Sequence, residues 1–340
     1  MLFIRYKSDN VDVRIIKYQD CVKRSYRMKV LKEVLQSRVI VTTHGPIIKF
    51  RNSINIELWH GFPLKAMCLL ENGLSLKEKR ISRAKYELVD YFISYSNLFN
   101  VLINACVGIE GEKYVITGAP RNDFLFKANG IENLKKIFPN LPTGKIIFYL
   151  PTFRKGYLDR AEGSFEPLSI FNKFDLKRFI DFLETNQLIL VVKLHPFEEA
   201  ILQSTDVKFS ERVLLLRNKD LEKNDLDLYE LLNCADLLIT DYSSVYFDFL
   251  LLNRPILFFA PDLEEYEKRR GFLLTPYDFW TPGPKVVEQK EFEREVLKLI
   301  YDEKYYEAER KLIKDMVHHY KDGESSARVW KFIERILNGE

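Results

Sequence analysis

Residues Leu237–Ala260 read LLITDYSSVYFDFLLLNRPILFFA. The run LLIT is short and apolar, as a buried strand is. A polar turn follows, Thr240-Asp241-Tyr242-Ser243-Ser244, and then an apolar helical segment from Val245 to Leu252. Asn253-Arg254-Pro255 interrupts that segment before a second strand, Ile256 to Ala260. Two continuously apolar strands joined through a helix lie parallel, in a sheet covered on both faces.

The same alternation extends in both directions. Upstream lie strand candidates Ile146–Leu150 (IIFYL), Leu188–Leu194 (LILVVKL) and Val213–Leu216 (VLLL). Before them stand Arg38–Thr42 (RVIVT), Ile54–Leu58 (INIEL), Tyr91–Tyr95 (YFISY) and Tyr114–Thr117 (YVIT), with helical patterns over 24–37 and 75–88. Phe138–Gly144 (FPNLPTG) is punctuated by Pro and Gly and reads as a linker. The expected domains are therefore 1–140 and 144–340. The second closes in a helical tail from about residue 289, broken near Asp322-Gly323. A chain of 340 residues is too long for one ordinary core and suits two. Two α/β domains facing each other across a cleft form an architecture that holds nucleotide donors.

Composition narrows the function. Charge is nearly balanced at +3, so nothing at whole-chain level demands nucleic acid. The first 60 residues are uneven, with 12 Lys and Arg against 5 Asp and Glu. Lys23, Arg24, Arg27, Lys29 and Lys32 gather on one expected helix. A solvated helix face is the plainer reading; contact with an anionic membrane surface or a polyanionic acceptor is the sharper one. Cys21, Cys68, Cys106 and Cys234 are widely spaced with no CxxC, which fits a reducing cytoplasm and core or incidental roles. The start, MLFIRYKSDN, turns polar at once, so no signal peptide is expected. No apolar run reaches the roughly 20 residues of a membrane span. A protein that is cytoplasmic or peripheral on the cytoplasmic face is expected.

In open parallel sheets, ligands bind beyond the carboxyl ends of the strands. Five polar motifs stand at such ends. Trp59-His60-Gly61-Phe62-Pro63-Leu64-Lys65 follows INIEL, and Gly118-Ala119-Pro120-Arg121-Asn122-Asp123 follows YVIT. Pro151-Thr152-Phe153-Arg154 follows IIFYL, His195-Pro196 follows VVKL, and Thr240 to Ser244 follows LLIT. Ser243 and Ser244 fall where a helix begins, so amides and hydroxyls there suit a pyrophosphate. Simple N-capping is the alternative. Thr152, Thr240, Asp241 and Asp248 join them as donor contacts, Asp248 either at a ribose hydroxyl or in a structural pair. Alternation puts Lys193 and His195 on one side of their strand, a cation pair suited to a departing nucleotide phosphate. His60 precedes Gly61, which permits close backbone approach, and can take a proton from an attacking hydroxyl. His44 competes for that role. Lys65, Arg121, Asn122 and Arg154 are candidate phosphate or acceptor contacts. Asp225-Leu226-Asp227 mimics a metal-binding acidic motif but does not follow a strand. No metal site or required cofactor is read; Mg²⁺ carried by the donor stays open.

These residues carry a resemblance. WHGFPLK, APRND, PTFR, KLHP and above all the block Ala235–Phe272 resemble the CDP-glycerol glycerophosphotransferase family, the teichoic acid and capsule-polymer primases and polymerases. The likeness runs from about Ile54 to Pro284. It implies a GT-B-like fold of two Rossmann-type domains, with the donor held mainly by the second. It implies transfer of a polyol phosphate, glycerol phosphate first, from a CDP donor to a hydroxyl of a polymer or lipid-linked primer, with CMP released. It implies His60 as the base, His195 at the donor phosphates, and Ser243 and Ser244 at the pyrophosphate. The chain departs from the family at Phe62, where Thr is common, and at Phe153-Arg154-Lys155, where Trp, Arg and an acidic residue are common. Two other readings stand beside it: a GT-B glycosyltransferase using a nucleotide sugar, and a non-catalytic module binding nucleotide or polyanion.

Overall fold

Strands of two to five residues, mostly apolar and each followed by a helix or loop, assemble into two separate parallel sheets. The computed structural model describes residues 31–46, 48–152, 174–194, 199 and 210–340. The first sheet has the order β1-β2-β3-β4, formed by Val39–Thr42, Ile54–Glu57, Tyr91–Ser94 and Tyr114–Ile116. The second has the order β10-β9-β8-β5-β6-β7. Its strands are β5 Lys145–Tyr149, β6 Leu188–Val192, β7 Val213–Leu215, β8 Leu237–Thr240, β9 Ile256–Phe259 and β10 Lys285–Val286. Every pairing is parallel. The fold class is the one expected, α/β with two Rossmann-type sheets. The strand positions agree with the sequence reading to within a few residues; β10, only two residues long, was not foreseen.

The second sheet winds both ways from β5. The chain runs β5, β6, β7 toward one edge, then returns to β8 on the other side of β5. That reversal opens a crevice at the carboxyl ends of β5 and β8. Strands β6, β8 and β9 are buried at every residue, which explains their unbroken apolar sequences. Phe179, Leu183, Leu190, Ile239, Leu257, Phe292 and Val296 form the core beneath them.

The compact units differ from the expected domains. One comprises Met1–Asp123 with Met316–Glu340, the other Phe124–Asp315. The Phe138–Gly144 segment therefore lies inside the second unit, and the last helix belongs to the first. Two interactions account for this. The helix Ser325–Asn338 buries Val329, Trp330, Ile333 and Ile336 against Ile56 and Ile93 of the first sheet. Asp123, fully buried, accepts hydrogen bonds from Ser325 N and Ser326 N, both at 2.8 Å. A carboxylate at a helix N-terminus satisfies unpaired amides and complements the helix dipole. At Gly118 (φ 78°) a Cβ would lie 2.5 Å from Ser325 Oγ, so only glycine fits there.

Asp123→Ala leaves two buried amides without their acceptor. We expect a loss of about 2 kcal/mol or more of stability, with faster proteolytic release of the last helix. An unchanged melting temperature and proteolysis pattern would show that Asp123 does not anchor it.

Candidate active site

The first unit's site grows from Glu57, the last residue of β2. Its side chain is fully buried. Oε2 accepts from Thr42 Oγ1 (2.5 Å) and Gly45 N (2.8 Å), and Oε1 from Trp59 N (3.0 Å). One carboxylate thus fixes the loops leaving β1 and β2, which carry His44 and His60. Burial raises the Glu57 pKa, while the bonds from Thr42, Gly45 and Trp59 and the charge of Lys85 oppose that rise. Glu57 was not singled out from sequence. An acidic residue inside an otherwise apolar strand was the signal available.

Between Glu57 and His60 the chain turns through Trp59 at φ 60°, a conformation that costs a non-glycine residue about 1 kcal/mol. The turn buries the Trp59 ring against Tyr86 and Phe92 and leaves His60 at the surface. His60 Nδ1 lies 3.2 Å from the Thr43 carbonyl. A carbonyl only accepts, so Nδ1 carries the proton and Nε2 presents a lone pair. The ring is crowded on its inner side and exposed at its outer edge. Burial, then the charge of His44, then those of Arg121 and Lys65 lower its pKa to about 4, against the opposing bond to Thr43. Solvent at the open edge reduces the size of that shift; the direction, a neutral imidazole at pH 7, is what the chemistry uses.

The other residues expected in this unit fall in distinct places. Arg121 Nη1 donates to the His60 carbonyl (2.7 Å) and Nη2 to Tyr95 Oη (3.3 Å), so this guanidinium braces the turn. Asn122 is buried, which removes it from the accessible contacts. Gly61 takes φ 151°, and Lys65 is half-buried close enough to His60 to act on its charge. Phe62 is fully buried, with ring centroids 5.9 Å from Tyr95 and 5.8 Å from Phe99. Its departure from the family pattern is a matter of core packing, not of substrate contact.

The second unit has its own site. A cavity of about 410 Å³ is lined by Leu150 and Pro151 after β5, Lys193 and Leu194 after β6, and Ser243 after β8. Asn218, Leu221, Glu222, Leu226, Asp227, Leu228 and Val245 complete the lining. It sits at the reversal of strand order, where the topology places ligands. A second buried carboxylate shapes it. Asp241 accepts from Thr152 N (2.9 and 3.0 Å), Tyr242 N (2.5 Å) and Ser243 N (3.2 Å). The Thr240 hydroxyl donates to the Leu150 carbonyl (2.7 Å).

Three expected donor contacts are thereby corrected. Thr240 and Asp241 are buried and tie the ends of β5 and β8 together. Asp248, fully buried, accepts from Tyr229 Oη at 2.6 Å and is a core partner, not a ribose ligand. Lys193 lines the cavity but forms a buried ion pair with Glu199 (2.5 Å), whose other oxygen accepts from Asn218 N (3.0 Å). Part of the Lys193 charge expected at a leaving phosphate is thus met by Glu199. Ser243 lines the cavity, and Ser244 opens the helix Val245–Phe249 without a side-chain cap bond. His195, Arg154, Phe153 and Lys155, and the basic residues Lys23 to Lys29, lie outside the described residues. Asn218, Glu222 and Asp227 were missed as cavity residues: Asn218 and Glu222 belong to the short helix Asn218–Lys223, which carries no motif of its own, and Asp227 was read only as part of an acidic motif and set aside.

Two Rossmann-type units, with a nucleotide-sized cavity in one and a neutral histidine at a strand end in the other, define a transferase of the nucleotide-donor class. Residues 2–335 match the CDP-Glycerol:Poly(glycerophosphate) glycerophosphotransferase family, and the chain belongs to it and is an enzyme of that type. It is 28% identical over 340 residues to a teichoic acid glycerol-phosphate primase of Bacillus subtilis (strain 168), covering 97% of this chain and 81% of the relative. It is 31% identical to a teichoic acid poly(glycerol phosphate) polymerase of Bacillus spizizenii, covering 86% and 71%. Among solved structures, the wall teichoic acid polymerase TagF matches with a TM-score of 0.74 at 27% identity, over 89% of this chain and 74% of that one. A UDP-N-acetylglucosamine 2-epimerase from Listeria monocytogenes matches at 0.54 and 16%, over 99% and 86%, a likeness of fold alone. The fold is GT-B-like.

A histidine whose folded pKa is depressed resists protonation as pH falls below its unfolded value near 6.5. In a ¹³C NMR titration, assigned with His60→Ala, the His60 ring should stay neutral through pH 6.5 and titrate well below it. A midpoint at or above 6.5 would contradict the environment described.

Proposed function

We propose that the chain transfers a polyol phosphate, glycerol phosphate first, from a CDP-activated donor to a hydroxyl of a cell-wall or capsule polymer or its lipid-linked primer. The observation that carries the chemistry is His60, exposed at a strand end with Nδ1 committed to the Thr43 carbonyl, so that Nε2 carries the lone pair; burial and neighbouring cations favour the neutral ring. The acceptor hydroxyl attacks the glycerol-bearing phosphorus of the donor. Its proton passes to His60 Nε2 as the new O–P bond forms. The bond from that phosphorus to the bridging oxygen breaks, and CMP leaves with the electron pair. Phosphoryl transfer of this kind depends on positioning and charge stabilisation more than on covalent help from the protein.

The cavity in the second unit is the assigned nucleotide site. Leu221, Leu226, Leu228 and Val245 supply its apolar walls, and Ser243 and Ser244 are assigned to the pyrophosphate. His195 is assigned to the leaving phosphate on the family resemblance alone. TagF, studied as a histidine-to-asparagine variant with CDPG, supports this choice of donor. Residues Met1–Asp123 hold the acceptor side in this reading and Phe124–Asp315 the donor side. Among the described residues no helix is long and apolar enough to cross a membrane. Peripheral attachment on the cytoplasmic face, through the basic first 60 residues, accords with a lipid-linked acceptor.

Donor identity is tested by incubating the protein with CDP-glycerol, CDP-ribitol and a panel of nucleotide sugars. Thermal stabilisation and release of CMP are recorded. One CDP-polyol should stabilise the protein and yield CMP, and His60→Ala should lower that rate on the order of 10²-fold or more. Stabilisation by a nucleotide sugar alone would overturn the reading in favour of a glycosyltransferase. Full function with His60→Ala would favour a binding module.

A further inference from the structure

The loop after β1 takes hold of His60 twice through consecutive residues. The Thr43 carbonyl accepts the Nδ1 proton, and the next side chain, His44, lies flat on the His60 ring. The two ring centroids are 4.6 Å apart and the planes differ by 3°. Trp59 makes a second ring contact at 4.4 Å, tilted by 33°. Exposed histidines are ordinarily solvated side chains. His44 is exposed, yet its backbone is pinned on both sides. Lys85 Nζ donates to the His44 carbonyl, and Gly45 N donates to Glu57. Gly45 takes φ 82°, a left-handed conformation that favours glycine.

We propose that His44 is a positioning residue for the reaction, a ring clamp that holds His60 with Nδ1 on the Thr43 carbonyl and Nε2 available to the hydroxyl proton. The proposal rests on His60 as the base. When His60 accepts the hydroxyl proton it becomes an imidazolium. A neutral aromatic face against it stabilises that cation, whereas a second imidazolium repels it. The charged groups around the pair are cationic at the surface and acidic beneath. Lys85 and Arg121 act on His44, His44, Arg121 and Lys65 act on His60, and Glu57 lies buried under both loops. Burial, then Lys85 and Arg121, lower the His44 pKa, so this ring is neutral at pH 7 and available to stack.

The test compares native protein with His44→Ala and His44→Phe in two measurements, CMP release from CDP-glycerol and NMR titration of the His60 ring. Phenylalanine keeps a flat ring but carries no charge. His44→Ala should lower kcat on the order of 10-fold, through a base held out of line, with KM for CDP-glycerol within about twofold of native. His44→Phe should recover most of that kcat. It should also raise the His60 midpoint, since a titrating neighbour of like charge is gone. Native kcat in His44→Ala, or a His60 midpoint unmoved in His44→Phe, overturns the proposal. If His44→Ala does not fold, His44→Phe alone decides it through the midpoint. If the native protein releases no CMP from CDP-glycerol, the functional reading has failed, and the His60 midpoint still decides whether the two rings are coupled.

Discussion

A parallel sheet leaves its functional loops at one end, and those loops need something to hold them. Here that constraint is met in each unit by a buried carboxylate at the carboxyl end of an inner strand. Glu57 binds the loops after β1 and β2 together, and Asp241 binds those after β5 and β8. Each is almost wholly buried, and each accepts backbone N–H groups that would otherwise be left unsatisfied. The histidines and serines of the two sites stand one to three residues from these anchors in sequence or on the loops they fix. The sites therefore inherit the rigidity of the sheets.

The chemistry assigned to His60 follows from that anchoring. Glu57 fixes Trp59 N, and Trp59 adopts its positive φ and turns the next residue to the surface. The Thr43 carbonyl then selects the tautomer, and Arg121 braces the His60 carbonyl. A base needs a lone pair at the right atom and no proton on it at working pH. Local hydrogen bonding supplies the first condition, and crowding by protein and cations supplies the second. In the second unit, the cavity lies where the strand order reverses, with apolar walls and a few polar groups, the composition ordinary for a small-molecule pocket.

Much of this was legible in the sequence because parallel strands buried on both faces write themselves as unbroken apolar runs. IIFYL, LILVV, LLIT and ILFF could be placed without tertiary knowledge, and Pro151 and Ser243, from polar motifs after two of them, line the candidate cavity of the second unit. Lys285–Val286 was not legible, since two residues carry no periodicity. The division of the chain was misread because Pro and Gly mark turns inside a unit as readily as between units. The actual boundary depends on Asp123 reaching residues about 200 positions later, which no local pattern reveals. Asn122 was placed at the ligand, and Asp248 left open between a ribose and a structural partner, because polar residues near strand ends are often functional. Whether such a group faces the cavity or a buried partner such as Tyr229 or Glu199 is decided by packing. The pairing of His44 with His60 is likewise tertiary. They are sixteen positions apart, and the adjacency of β1 and β2 brings the rings together.

The central claim is that a hydroxyl attacks the polyol-bearing phosphorus and expels CMP. The most direct measurement uses CDP-glycerol carrying ¹⁸O in the oxygen that bridges its two phosphorus atoms, with mass spectrometry of the products. Attack at the glycerol-bearing phosphorus breaks that atom's bond to the bridge, so all of the label should appear in CMP. Label retained in the glycerol phosphate product, or release of CDP in place of CMP, would contradict the account.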